Sequence, residues 1–306
     1  MRRHSRARRR KSTKTRRRQR GGSKCLFINW GPGIGLGNQL FIYAAAVIMK
    51  NHLKKWNLCI PPVEKNPHTS TDYRFLFKQG TPVEKTKETV KRLAEATVVH
   101  KDKHIRNGEW TVADLAKDSG TDFSDSSKNL RLKTTDLPED ALYHNYKSIA
   151  PAIPIVRADL QKELNARYTP SIEHPDSTAF LHVRYGDYET HKIVSPIDYY
   201  KKGKAKLQEN PKIKTIYVIS DAKGIQWATS HGLTEGTTTI DDPDELKVLY
   251  IMSQCKAGAC ISASTYSIWG AILGPVTNPN AMIIYPSSWI HLKGKDLSFP
   301  TTWTEI

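Results

Sequence analysis

The chain has 306 residues, with 47 Lys and Arg against 30 Asp and Glu and a formal net charge of +17. Twelve of those cations fall in residues 1–20, which hold no acid. About +5 is left for the remaining chain, so composition gives its body no broad basic surface and argues against a nucleic-acid-coating domain. The longest apolar stretch, Phe41 to Met49, ends at Lys50 and is far short of the roughly 20 residues a membrane span needs.

In chain order, residues 1–22 come first as a tail almost without apolar side chains, which is expected to be disordered because it cannot bury enough surface to offset its ordering entropy. It reads as a solvated spacer, a nuclear or nucleolar address, or a contact to nucleic acid or an anionic membrane. No apolar core follows its basic start, as a secretory signal would require. Cys25, Cys59, Cys255 and Cys260 are few and scattered, which suits a reducing, cytoplasmic-type compartment, and the last two lack partners at zinc-like spacing.

About 280 residues remain, enough for two domains, divided here as 23–150 and 151–306. The first opens with a strand over Lys24 to Trp30, a Gly-rich turn over Gly31 to Asn38, and a helix over Gln39 to Leu53 with Leu40, Tyr43, Ala44, Val47 and Ile48 at helical spacing. Such a turn lets a ligand approach backbone and helix N–H groups closely. A dinucleotide fold wants an acid about 20 residues further on, yet none occurs between Asn38 and Val63, and the Gly-Lys-Ser/Thr ending of a triphosphate loop is absent. Asn57 to Ile60 is a second strand. From Glu64 to Glu139 the pattern is polar and weak, with helix hints only at 84–96 and 112–116.

The second half alternates. Strands are expected at Thr178 to Arg184, Thr215 to Ser220, Ala259 to Ser264 and Ala281 to Pro286. Helices are expected at Pro196 to Leu207, Lys223 to Ser230, Asp244 to Lys256 and Tyr266 to Leu273. The alternation implies a parallel α/β sheet covered on both faces, and the whole chain two Rossmann-like halves around a cleft.

Within this frame His182, Arg184 and Asp187 sit at a strand end, where open α/β sheets bind ligands. The Arg184 fork suits two phosphate oxygens, although a structural ion pair with Asp187 would account for the same residues. Asp242 and Asp244 have metal-binding spacing, but an acidic turn opening a helix explains them more simply, with Asp244 as cap. Ser262, Ser264, Thr265 and Ser267 close a strand and open a helix, a place for phosphate oxygens as well as for capping.

Gly35-Leu36-Gly37-Asn38-Gln39-Leu40-Phe41, His182 to Tyr188, Pro196 to Lys201, Val218 to Asp221 with Trp227, Met252 to Lys256 and Ser264 to Ala271 keep one order along the chain. Together they resemble the motifs of the family 11 glycosyltransferases, the α-1,2-fucosyltransferases. The resemblance implies a GT-B-like fold, with an acceptor-side first domain and a nucleotide-sugar-binding second domain. It also implies a GDP-fucose donor, a glycan or glycoconjugate acceptor, inversion at the sugar carbon and no metal. Arg184 then carries the diphosphate, and Ser264, Thr265 and Ser267 its oxygens. His182 and Asp221 line the nucleotide site, and Asn38 faces it across the cleft. Glu189 and His191 are the candidate bases, fixed by no motif.

Two positions depart from the family pattern. Tyr185 replaces a second arginine, and Val248 stands where an acid is expected to read guanine, a task Asp244 one turn earlier could take over. The alternative is a catalytically altered or inactive glycosyltransferase-like protein, anchored through its tail to nucleic acid or an assembly. A fucosyltransferase without a membrane span has a bacterial or viral layout, whereas an Arg-rich tail suits a eukaryotic or viral setting.

Overall fold

The computed structural model describes residues 24–28, 30, 34–63, 71–99, 128–132, 146–287 and 298–306. The expected tail over 1–22, the glycines at 31–33 and the helix over 112–116 lie outside them.

Short apolar runs form the central strands. In the first unit these are β1 (Cys25–Ile28), β2 (Asn57–Ile60), β3 (Thr81–Pro82), β4 (Thr97–Val99) and β5 (Leu130–Leu132), in the order β3-β2-β1-β5-β4. The second unit contains β6 (Thr178–His182), β7 (Thr215–Ile219), β8 (Thr238–Ile240), β9 (Gly258–Cys260), β10 (Met282–Tyr285) and β11 (Thr304–Glu305), in the order β11-β10-β9-β6-β7-β8. Among the described residues every pairing is parallel. Two parallel sheets with helical crossovers make the fold GT-B-like, with two Rossmann-like units.

The helices are α1 (Leu36–His52), α2 (Lys87–Ala94), α3 (Tyr146–Ile149), α4 (Ile153–Arg167), α5 (Gly186–Thr190), α6 (Ile197–Glu209), α7 (Ala222–Ser230), α8 (Glu245–Gln254) and α9 (Thr265–Leu273). None of them is long and apolar enough to cross a membrane.

Sequence spacing gives α1 one apolar stripe, but the helix is buried on nearly all sides, with Phe41, Ile42, Ala45 and Ala46 as inaccessible as Leu40 and Tyr43. A helix apolar all round belongs inside a core, and here α1 packs on the equally apolar α9, with the rings of Phe41 and Trp269 edge to face at 5.7 Å. One hydrophobic cluster therefore runs from Leu26, Leu58 and Leu130 of the first sheet to Phe180, Ile219 and Ile283 of the second.

The α1–α9 contact tightens at their N-terminal ends. A Cβ on Gly37 would lie 2.3 Å from the backbone N of Tyr266 and 2.7 Å from Thr265 Oγ1. Gly37 thus serves backbone-to-backbone packing rather than ligand approach. Gly37→Ala is expected to destabilise the protein by about 2–3 kcal/mol, since fixed main chain must move, and a urea melt measures this.

Two features were not foreseen. α4 places Ile153, Val156, Leu160 and Leu164 in one buried stripe, with Pro154 tolerated in the first turn, where no N–H partner is lost. The scatter of the cysteines suited unpaired thiols, yet Cys25 and Cys59, on neighbouring strands in diagonal register, are joined in a disulfide. Cys255 and Cys260 are free and buried. Closing a sequence separation of 34, the bridge adds up to about 4 kcal/mol by the loop-entropy account. Dithiothreitol is expected to lower the urea midpoint accordingly.

Candidate active site at the sheet switch point

Strand β6 is fully buried in the middle of its sheet. The chain runs from it to β7 and β8 on one side, then crosses to β9 on the other. The carboxyl ends of β6 and β9 therefore form a topological switch point, where ligands of such sheets bind. Arg184 follows β6 and the run Ser262 to Ser267 follows β9, so two motifs 80 residues apart meet. His182 Nδ1 and Ser262 Oγ lie 3.0 Å apart.

Arg184 makes a two-point ion pair with Asp187, Nε to Oδ1 at 3.0 Å and Nη2 to Oδ2 at 3.1 Å. Nη1 takes no part in this pair. The side chain remains 37% exposed, which keeps it open to a ligand. Its guanidinium also lies 5.5 Å from the Tyr188 ring centre, and Tyr188 donates to the carbonyl of Ala263 at 3.1 Å. The ion pair and an anion-binding role are thus compatible.

His182 is 5% exposed. Burial, and secondarily the Arg184 charge, push its imidazole down to about 3. At neutral pH it is an uncharged hydrogen-bonding group, not a second cation.

The starts of α1 and α9 share a property that α4 also has. Neither Gly35 before α1 nor Ser264 before α9 supplies a side-chain cap, and neither helix has an acid in its first turn. They nevertheless abut. Thr265 Oγ1 donates to Asn38 Oδ1 at 2.6 Å, beside the Gly37–Tyr266 contact. Each helix start carries roughly half a positive charge and orphan N–H groups. Two such ends beside an arginine make a strongly electropositive spot, suited to an anion.

The remaining predicted residues separate into structural and peripheral places. Asp221 is committed to backbone, accepting Gly224 N at 2.8 Å as the α7 cap and Gly186 N at 2.9 Å, which ties the loop after β6 in place. Asp244 caps α8 through Leu246 N and Lys247 N and accepts Tyr168 Oη at 2.8 Å. Asp242 pairs with Lys247 at 2.5 Å, so the Asp242–Asp244 spacing serves a helix start. Ser267 Oγ accepts Ser262 N at 3.1 Å, which shapes the β9–α9 turn. Glu189 is hydrogen-bonded by Tyr185 Oη at 2.7 Å. On α5 it lies across from Asp187, because residues two apart point to different sides. His191 is the exposed C-cap of α5.

Val248 is 7% exposed and part of the core. An acid at this position would be buried among hydrophobic groups, so no carboxylate reaches the crevice from it. Glu245, three residues earlier, is the acid that sequence reasoning missed. It accepts a hydrogen bond from Tyr73 of the first unit, and its backbone carbonyl accepts from Tyr266 Oη at 2.5 Å. Burial pushes its carboxyl up, against the Tyr73 hydrogen bond and the Arg184 charge, which pull it down. Its place as the first residue of α8 was readable. Its contact with Tyr73 across 172 residues was not.

No family model matches the chain. Among solved structures, it resembles POFUT1 in complex with GDP (12% identity, 86% of this chain and 98% of that chain, TM-score 0.42). It also resembles the Escherichia coli heptosyltransferase WaaC with ADP (10% identity, 92% of each chain, TM-score 0.43). A third likeness is to the fucosyltransferase NodZ from Bradyrhizobium (14% identity, 82% of this chain and 93% of that chain, TM-score 0.43). In sequence, the chain is 25% identical over 301 residues to the Escherichia coli O-antigen biosynthesis glycosyltransferase WbnK, covering 89% of this chain and 98% of that one. Similarity along nearly the whole of both chains supports a glycosyltransferase.

Proposed function

We propose that this protein is an inverting glycosyltransferase that takes its sugar from a nucleoside diphosphate. The observation that carries the proposal is the meeting of two uncapped helix starts with Arg184 at the switch point of the second sheet. Cleaving a sugar–diphosphate bond builds charge on the diphosphate. Fixed donors and a cation there stabilise the transition state more than the ground state. Arg184 Nη1 and the N–H groups of the α9 start are the donors we propose for this task, with Thr265 held to Asn38 beside them, and no metal is part of the proposal.

GDP-fucose is the donor we propose, with a sugar hydroxyl of a glycan as acceptor and an α-1,2 linkage as product, following the family 11 motifs. Their order along this chain and the 25% identity to a glycosyltransferase of O-antigen biosynthesis support that choice. Neutral His182 orients through Ser262, and Asp221 positions the Arg184 loop. Glu245, which Tyr73 of the first unit meets within the field of Arg184, is the base we propose for the acceptor hydroxyl.

The test is turnover with a panel of nucleotide sugars, methyl β-galactoside serving as acceptor. Transfer from GDP-fucose, abolished by Arg184→Ala and reduced by Glu245→Gln, is expected. Turnover only with a uridine-linked sugar would overturn the donor assignment, and absence of hydrolysis or transfer with every donor would overturn the enzyme.

A further inference from the structure

On the side of α5 away from Asp187 lies a second concavity, an open pocket of about 370 Å³. Its floor is aromatic. Trp227 has the Tyr185 ring 5.4 Å away at 31° and the His231 ring 4.7 Å away at 40°, while Tyr200 supports it edge-on from beneath at 6.0 Å. Trp227 and Tyr185 are only half-buried, although their lower edges pack on the core.

The floor is held rigidly. Gly224 leaves room for Tyr185, since a Cβ there would fall 2.9 Å from the Tyr185 Cβ and 1.8 Å from Ser220 Oγ. The Asp221 bond to Gly186 N fixes the loop above it. His231 is held by the Trp227 carbonyl, 2.7 Å from its Nδ1. The rim is polar and charged. Glu189 spends one carboxylate oxygen on Tyr185 Oη at 2.7 Å, and the other is left for a ligand. Lys192, with a left-handed φ of 56°, lines the same opening.

We propose that this pocket binds one pyranose ring of the glycan acceptor. A pyranose has an apolar C–H face that lies well on an aromatic ring with a negative π-face, and an equatorial rim of hydroxyls that a carboxylate and an ammonium can read. The volume is at the small end of the roughly 300–1,000 Å³ typical of ligand sites, which fits a single ring and not a nucleotide. Consecutive residues Arg184 and Tyr185 face the crevice and the pocket respectively, so a glycan seated at Trp227 would extend along α5 toward the switch point. Tyr185, which departs from the family motif, gives up a positive charge there and supplies half of the aromatic floor.

The acceptor role rests on the transferase proposal above, but sugar binding does not. Saturation-transfer NMR with methyl β-galactoside, methyl β-glucoside and lactose on the full chain reads binding directly. Ring-proton signals are expected with the wild type, with affinity about tenfold weaker in Trp227→Ala, the usual worth of one aromatic contact. A several-fold loss is expected in Glu189→Gln, an exposed change that does not threaten folding. GDP binding should be unaltered in both variants. Absence of sugar signals in the wild type, or equal signals in wild type, Trp227→Ala and Glu189→Gln, overturns the pocket. Sugar binding lost in these variants from a protein that turns over no nucleotide sugar would keep the pocket and remove the transferase.

Discussion

Arg184→Ala is expected to lower kcat by about 10²–10³-fold, the cost of removing one preorganised donor from a site of developing charge. Arg184→Lys is expected to recover little of it, because an ammonium lacks the rigid planar fork that holds Asp187 at two points while aiming a further N–H at phosphate. The Asp187 pair decides how this result is interpreted. If the pair were purely structural, Asp187→Asn and Arg184→Ala would lose stability together and activity only in proportion. If Arg184 acts on the diphosphate, its removal cuts kcat far beyond what the accompanying shift in urea midpoint accounts for.

The second large effect concerns acid pH. His182 is held at about 3 by burial and the neighbouring Arg184 charge, whereas an unfolded histidine titrates near 6.5. Between those values the unfolded chain binds a proton that the folded chain refuses, so folding stability falls as pH drops through this window and levels off below it. The slope is about 1.4 kcal/mol per pH unit, or roughly 3 kcal/mol lost between pH 6.5 and pH 4. Urea melts in that range follow the loss. His182→Gln, which keeps a hydrogen bond to Ser262 without a titrating group, is expected to flatten the slope by one proton. An unchanged slope would place the acid lability elsewhere.

The alternation of strand and helix in the second half was legible because β6, β7, β9 and β10 are apolar runs of three to five residues set between long helices. β8 and β11 were not. β8 is an edge strand of Thr238–Ile240 with two of three residues exposed, and β11 has two exposed residues, so neither carries an apolar signal. β3 was hidden for the same reason, while β4 and β5 are apolar runs of only three residues inside a long polar stretch. α1 was legible as a helix, but its second buried face was not, because Ala45 and Ala46 read as neutral until α9 packs on the helix.

Within the site, the structure brings the two strand-end motifs, His182 with Arg184 and the Ser262 to Ser267 run, to one place. The cap role of Asp244 was legible in the acidic turn before α8, but the ties from Asp221 to backbone were not. Both oxygens of Asp221 are filled by N–H groups. The absence of an acid in the first turn of α1 and α9 is plain in the sequence. Its meaning depends on the two helix starts meeting, a long-range fact set by the shared core.

The central claim is that this meeting point holds a diphosphate. Calorimetric titration of GDP into the wild type and into Arg184→Ala tests it most directly, with both proteins first shown to share one thermal midpoint. Binding by the wild type is expected, with affinity at least about tenfold weaker in the variant, since a charge-assisted contact is worth about 1.5–3 kcal/mol. GDP binding of equal strength in the two proteins, or none in either, would contradict it.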